Sequence, residues 1–315
     1  SANDKSNYLR HSTDNQYNAN QRLGAMLNLA LLSPSGNNKY ELKNIFNRLT
    51  NRRYTDRQGV NAQSDNETGA EYYYRSRLTY CTQLTGKHAL NDNDNIEWSA
   101  SYSYANRRMP DRRRYTIDDA LEQGTMMLTA GNEINREFTK LDEHIASANA
   151  NYRFAPLPSP VTFTLGGYGE YRSRKYNTRQ FIYNWDMEDN RLPDGFRKMD
   201  MTELLSNPEY LGPDKLHLIE EQCMRNNYKG RNTLGAGYLT ASIPVGKLKI
   251  HAGLRYEYNN MELITNSRDD VESPQSKFYR DGDIFPSLNT TYIIDERNQV
   301  RLSYGKSVNR PEFRE

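Results

Sequence analysis

Residues Lys247–Asn259 read KLKIHAGLRYEYN, and the chemistry changes with every step. Leu248, Ile250, Ala252, Leu254, Tyr256 and Tyr258 fall on one side. Lys247, Lys249, His251, Gly253, Arg255 and Glu257 fall on the other. A period of two held this long fits only a β-strand with one apolar and one polar face. Pro160–Arg172 does the same, setting Val161, Phe163, Leu165, Gly167, Gly169 and Tyr171 against Thr162, Thr164, Gly166, Tyr168, Glu170 and Arg172. Further apolar faces run through Ile96, Trp98, Ala100, Tyr102 and Tyr104, through Ala146, Ala148, Ala150, Tyr152 and Phe154, and through Leu23, Ala25, Leu27, Leu29 and Leu31. About ten such segments are legible. Tyr40–Thr50 fits less well, because its apolar phase slips near Ile45, where a bulge is expected.

The connections between segments alternate in length. Ser33–Asn38, the tract around Lys87–Asn95, Leu157–Pro160, Pro244–Lys247 and Asp295–Gln299 are short; Tyr54–Gly69, Arg107–Arg136, Asn177–Arg231 and Thr265–Asp283 are long. In an up-and-down meander, alternate connections share an end, so short turns gather on one side and long loops on the other, as in outer-membrane barrels. The 24 tyrosines support a membrane setting. Tyr72, Tyr74, Tyr102, Tyr104, Tyr171, Tyr256 and Tyr258 sit near the long loops, with Trp98, Tyr152 and Phe154 near the short turns. Two aromatic bands flanking aliphatic and small residues match interfacial girdles, where a tyrosine buries its ring and wets its hydroxyl. The fold expected is therefore all-β: an antiparallel up-and-down transmembrane β-barrel segment with long extracellular loops containing short helices. A soluble sandwich would alternate in the same way, but one-sided loops of this length are unusual in such domains.

Charge is balanced, with 42 Lys plus Arg against 40 Asp plus Glu, so no basic field points to nucleic acid. The start, SANDKSNYLR, has no apolar signal-like core. Cys81 and Cys223 lie far apart and read as unrelated thiols.

The C-terminal stretch FPSLNTTYIIDERNQVRLSYGKSVNRPEFRE resembles a passage of TonB-dependent receptors of the Bacteroidetes type. The resemblance rests on Phe285–Asn289, Arg301–Tyr304 and the motif Asn309, Arg310, Pro311, Glu312, Phe313, Arg314 and Glu315; SYSYANRRMPDRRRYT (Ser101–Thr116) is similar to the family's strand running into an N-x-x-x-P-D-x-R-R loop. It implies that residues 1–315 are an interior piece of a larger barrel, about ten strands of it, with the plug and remaining strands absent. Arg310–Glu315 would then lead into the loop before a next strand. It also implies active import of a scarce nutrient, such as an iron chelate, a cobalamin or an oligosaccharide. The partners would be outer-membrane lipid, the nutrient, and the TonB complex through the missing plug; a surface lipoprotein is left open. A passive porin-like or adhesin-like barrel and a soluble β-rich binding module are the alternatives.

Catalytic, metal and cofactor signatures are not legible. The five histidines are scattered, PVGK (Pro244–Lys247) lacks a P-loop's upstream glycine, and GGYG (Gly166–Gly169) lies in a strand with no helix after it. RDGD (Arg280–Asp283) reads as a turn. An enzyme is not expected. Candidate ligand contacts are Arg107, Arg108, Arg112, Arg113 and Arg114, which bracket Pro110-Asp111. Facing inward, they could grip an anion through forked guanidinium bonds; facing outward, they could meet lipopolysaccharide phosphates or acids such as Asp118 and Asp119. Phe181, Tyr183 and Trp185 could stack on a sugar or aromatic chelator, or pack a loop core. DMTELLSNPEYLG reads as a short helix capped near Asp200 or Thr202.

Overall fold

The computed structural model describes residues 10–128, 134–156, 158–185, 199–213 and 215–313, without the side chains of residues 184 and 185. Eleven antiparallel strands form one sheet. They are β1 (His11–Leu32), β2 (Asn38–Val60), β3 (Asn66–Ala89), β4 (Asn95–Asp118), β5 (Asn135–Phe154), β6 (Thr162–Trp185), β7 (Leu216–Glu221), β8 (Tyr228–Val245), β9 (Leu248–Asn266), β10 (Pro274–Ile293) and β11 (Gln299–Gly305). Ten of these follow one another as up-and-down neighbours, while the short β7 pairs only with the far end of β6. β1 and β11 are the two edges and do not pair with each other, so the described residues form an open wall.

The register turns the alternation of single segments into one continuous surface. Leu29 faces Leu42, which faces Leu84, then Ala100, Ala148 and Gly169. Leu165 faces Leu239, which faces Leu254. Leu248 faces Tyr292, which faces Val300. Most side chains of this band are exposed, Leu165 at 55%, Leu254 at 55% and Leu302 at 71%, while Leu42 and Leu248 are half-buried. Among the described residues no second sheet covers them, and a water-soluble surface does not carry an apolar band across ten strands. The band faces hydrocarbon, and the polar face between its residues lines the wet interior. On β9 the band runs from Leu248 to Tyr258, ten residue steps, or roughly 33 Å along a strand; at the usual barrel tilt of about 40° that is about 25 Å of height.

Several strands are longer than a crossing requires. β3, β4 and β6 have 24 residues each, against about 9–11 for a tilted transmembrane strand. The expected long loops Tyr54–Gly69 and Thr265–Asp283 are therefore mostly strand, with turns at residues 61–65 and 267–273. Arg107–Arg136 and Asn177–Arg231 begin with strand too. The sequence cue was polarity, and above the hydrocarbon both faces of a strand are wetted, so polar composition no longer separates strand from loop.

The bulge expected at Ile45 is also absent. β1–β2 and β2–β3 run without a register shift, and Ile45 lies opposite Met26 and Cys81, so its apolar side chain has apolar neighbours on the inner face. The irregularity sits between Met109 and Arg112 of β4 instead. Beyond the hydrocarbon, a satellite core of Leu128, Ile134, Met201, Leu204 and Leu216 packs against Tyr115, Ile117 and Tyr183. The helix α1 (Met201–Ser206) contributes to it and is capped by Asp200, whose carboxylate accepts from the amides of Thr202 and Glu203. Cys81 and Cys223 are both free thiols.

Candidate functional site

Pro110-Asp111 decides where the arginines of β4 point. Met109 pairs with Thr139 and Arg112 with Glu137, so two residues of β4 oppose one of β5. Proline has no ladder donor, and Asp111 takes a φ of 63°, a left-handed conformation that aspartate tolerates better than most residues. The extra residue reverses the phase of the strand. Arg107 faces inward and Arg108 outward before it; Arg112 and Arg114 face inward and Arg113 outward after it. All five lie on a strand, not in a loop, because the bulge absorbs the Pro-Asp step and pairing resumes.

The two outward arginines are paired with acids. Arg108 Nη2 donates to Asp142 Oδ1 at 2.6 Å. Asp111 is shared by Arg113 Nε at 2.7 Å and by Arg136, whose Nε and Nη2 donate at 2.7 and 2.8 Å. The acids named at the sequence level, Asp118 and Asp119, are not these partners; Asp119 instead accepts from the amide and side chain of Asn66.

Inward, Arg112 Nε donates to Glu71 at 2.7 Å and Nη1 to Glu137 at 3.1 Å, Arg53 takes the other oxygen of Glu71 at 2.6 Å, and Arg57 forks onto Asp14 at 2.7 and 2.8 Å. Asp14, Arg53, Arg57, Glu71, Arg112 and Arg114 line a polar cavity of about 470 Å³ near the long-loop end. Arg114 is exposed there and has no acidic partner among the described residues.

Below this cavity the inner face carries arginines that the sequence reading did not single out. Arg77 lies directly opposite both Leu49 and Arg107, Arg75 opposite Asn51, and Arg22 opposite Leu49. Among the described residues none of Arg22, Arg75, Arg77 and Arg107 forms an ion pair, and Arg107 Nε is buried without a hydrogen-bond partner. The signal was available: each of these arginines occupies the polar phase of its strand. Only the register brings them together.

The C-terminal motif is on the same inner face. Residues 306–313 run back across β10, β9, β8 and β6. Arg310 Nη1 donates to Glu257 at 2.7 Å and Lys306 Nζ to Asp283 at 2.7 Å. Glu312 reaches Arg172 at 3.1 Å and Arg174 at 3.3 Å. Phe313, only 3% exposed, lies beside both guanidinium groups, 5.2 and 5.3 Å from its ring, and against Gly230. Glu143 binds both arginines from below. Ion pairs and one buried ring thus hold the strap to the wall. Asn309 and Pro311 are exposed along it; Arg314 and Glu315 lie outside the described residues.

Phe181 and Tyr183 point away from this site. Both share the outer face of β6 with Tyr171: Phe181 packs edge-on against Phe138 and under Arg179, and Tyr183 joins the satellite core. The side chain of Trp185 lies outside the described part. No group of three or more potential metal ligands gathers among the described residues.

Residues 210–315 match the model described as the outer membrane protein beta-barrel family. With the exposed apolar band and its girdles, this places the wall in lipid. The protein resides in the outer membrane. No curated protein matches the sequence. Among solved structures, the chain is similar to the siderophore receptor PiuA of Acinetobacter baumannii, at 12% identity and a TM-score of 0.47, over 94% of this chain and 48% of that one. It is similar to the ferric-catecholate import receptor Fiu of E. coli K12 in its open form, at 9% identity and 0.46, over 95% and 54%. It is also similar to the ferric yersiniabactin uptake receptor FyuA of Yersinia pestis, at 8% identity and 0.41, over 91% and 45%. The chain spans about half the length of these proteins.

Proposed function

We propose that this outer-membrane wall belongs to a TonB-dependent nutrient receptor and guides an anionic nutrient along its inner face. The observation that carries the reading is the set of inner arginines without acidic partners: Arg114 at the cavity, then Arg107, Arg77, Arg75 and Arg22 deeper along the wall. Unpaired guanidinium groups in one wall raise the local concentration of an anion and bind its oxygens in forked geometry. The NRPEF segment, which carries the resemblance to TonB-dependent receptors, supports the same reading. Import would then be driven through a plug that, with the remaining barrel strands, lies outside residues 1–315. An iron chelate bearing carboxylates or catecholates fits this inner face better than a neutral oligosaccharide.

Uptake of a labelled ferric chelate by cells expressing the intact receptor tests this. Uptake should stop when an uncoupler collapses the proton-motive force, and at limiting ligand Arg75→Gln/Arg77→Gln/Arg107→Gln should reduce it about tenfold or more. Uptake that ignores the uncoupler assigns the wall to a passive pore. Uptake that ignores the triple substitution removes the arginines from the pathway.

A further inference from the structure

The outer face holds a second set of cations, in a place where water alone does not explain them. Just past the apolar band, on the long-loop side only, outward strand positions carry Arg48 and Arg52 on β2, Lys175 on β6, Lys229 on β8 and Arg280 on β10. All five are exposed. Arg48 reaches only Ser76 Oγ at 3.4 Å, Arg52 lies over the Tyr74 ring at 5.8 Å, and Arg280 meets Asn260 at 3.2 Å and the Phe278 ring at 5.3 Å. Among the described residues none of the five has an acidic partner.

Lys175 and Lys229 are, moreover, directly opposite each other across β6 and β8. Like charges in that position repel, and the nearest acid in the row, Asp142, is already taken by Arg108 and Lys140. At the other end of the band the last outward strand positions are Asn38, His88, Ile96, Phe154, Phe163, Val245, Leu248, Tyr292 and Val300, none of them lysine or arginine, and only the turns beyond carry Lys247 and Arg297. Arg48 and Arg52 lie two and six residues past Phe46, Lys175 four past Tyr171 with Lys229 opposite it, and Arg280 four past Ile284; this is roughly 7–20 Å along each strand, at the depth of lipid head groups.

We propose that this collar binds the phosphates of the glycolipid in the leaflet facing the long loops, whose acyl chains lie on the apolar band below. Arginine forks and lysine point charges both suit phosphate oxygens, and an anionic surface favours each basic residue held beside it. The bound phosphates supply the counter-charge that Lys175 and Lys229 lack within the protein.

The intact protein, purified in mild detergent, is titrated with bisphosphorylated lipid A and with the same lipid stripped of its phosphates. Retained lipid is counted by native mass spectrometry. Removing the phosphates should weaken retention by the wild type about tenfold or more, and Lys175→Gln/Lys229→Gln/Arg280→Gln should bring the phosphorylated lipid down to the same level. Inorganic phosphate at equal concentration should not displace the lipid. Equal retention of the two lipids by the wild type overturns the proposal, and that comparison stands even where the triple variant does not fold. Displacement by inorganic phosphate overturns it as well, since the collar would then be a site for free anions.

Discussion

Phe313 and Gly230 act as one unit at the residue scale. A Cβ at position 230 would lie 2.5 Å from the Phe313 ring, so the strap seats only because residue 230 is glycine. Phe313→Ala should destabilise the protein by about 3 kcal/mol, the usual cost of emptying a buried aromatic site. Gly230→Ala should evict the ring and cost a similar amount. Because both remove the same contact, the double variant should cost scarcely more than either alone; chaotrope unfolding in lipid vesicles measures this, and additive losses would show the two residues acting separately. Trp98 offers a second check. Its Nε1 donates to His88 at 3.0 Å while the ring lies over Gly86, where a Cβ would meet it at 2.4 Å. Gly86→Ala should displace the indole and shift its fluorescence.

The two faces of each strand obey different rules at the element scale. Leu239 lies near the middle of the apolar band on β8, between Leu165 and Leu254. Leu239→Arg should cost roughly 2–4 kcal/mol, the penalty for a cation on the lipid face of a barrel near the midplane. Thr240→Arg, one residue on and facing the wet interior, should be tolerated. Equal losses in vesicle unfolding would contradict the assignment of faces. Beyond the membrane, the 267–273 turn is tied to residues 224–225: Asp269 accepts from the Arg225 amide at 2.9 Å and from its Nε at 2.6 Å. These bonds hold the Asp269 carboxyl below the ordinary aspartate value of 3.8. A lowered folded-state pKa contributes stability above the unfolded value and loses it as pH falls through the folded one. Protection of the Arg225 amide in hydrogen exchange should therefore persist at pH 5 and fade only below 3.8; fading at pH 5 would mean the tie is not what orders this turn.

At the scale of the whole molecule, the open wall has consequences. β1 is exposed along its full length, and neither it nor β11 has a partner on its outer side among the described residues. Unpaired strand edges are not tolerated in hydrocarbon and template association in water. Residues 1–315 refolded alone in detergent should therefore elute as oligomers in light-scattering chromatography, and a compact monomer would mean that these strands close on one another. The inner arginines, the strap and the outer collar are separate features of this wall. The arginines and the strap lie on the inner face and the collar on the outer, so substitutions in the collar should leave the proposed uptake along the inner face intact.

Fold and setting were legible in the sequence because a strand repeats every two residues. Leu248, Ile250 and Leu254, read from one segment, already specify a two-faced strand, and several such segments with girdling tyrosines specify a membrane wall. The short helix capped by Asp200 was legible for a similarly local reason, since a carboxylate beside free amides needs no distant partner. Alternation could not say where strands end once both faces are wet, so Arg107–Arg114 read as loop. Nor could it foresee that Pro110-Asp111 would be accommodated as a bulge, which alone decides that Arg112 and Arg114 point inward and Arg113 outward. The gathering of Arg22, Arg75, Arg77 and Arg107, the facing of Lys175 by Lys229, and the seating of Phe313 against Arg172 and Arg174 join residues distant in sequence. Periodicity assigns a side chain to a face; pairing register decides which side chains on that face become neighbours, and only the tertiary structure fixes it.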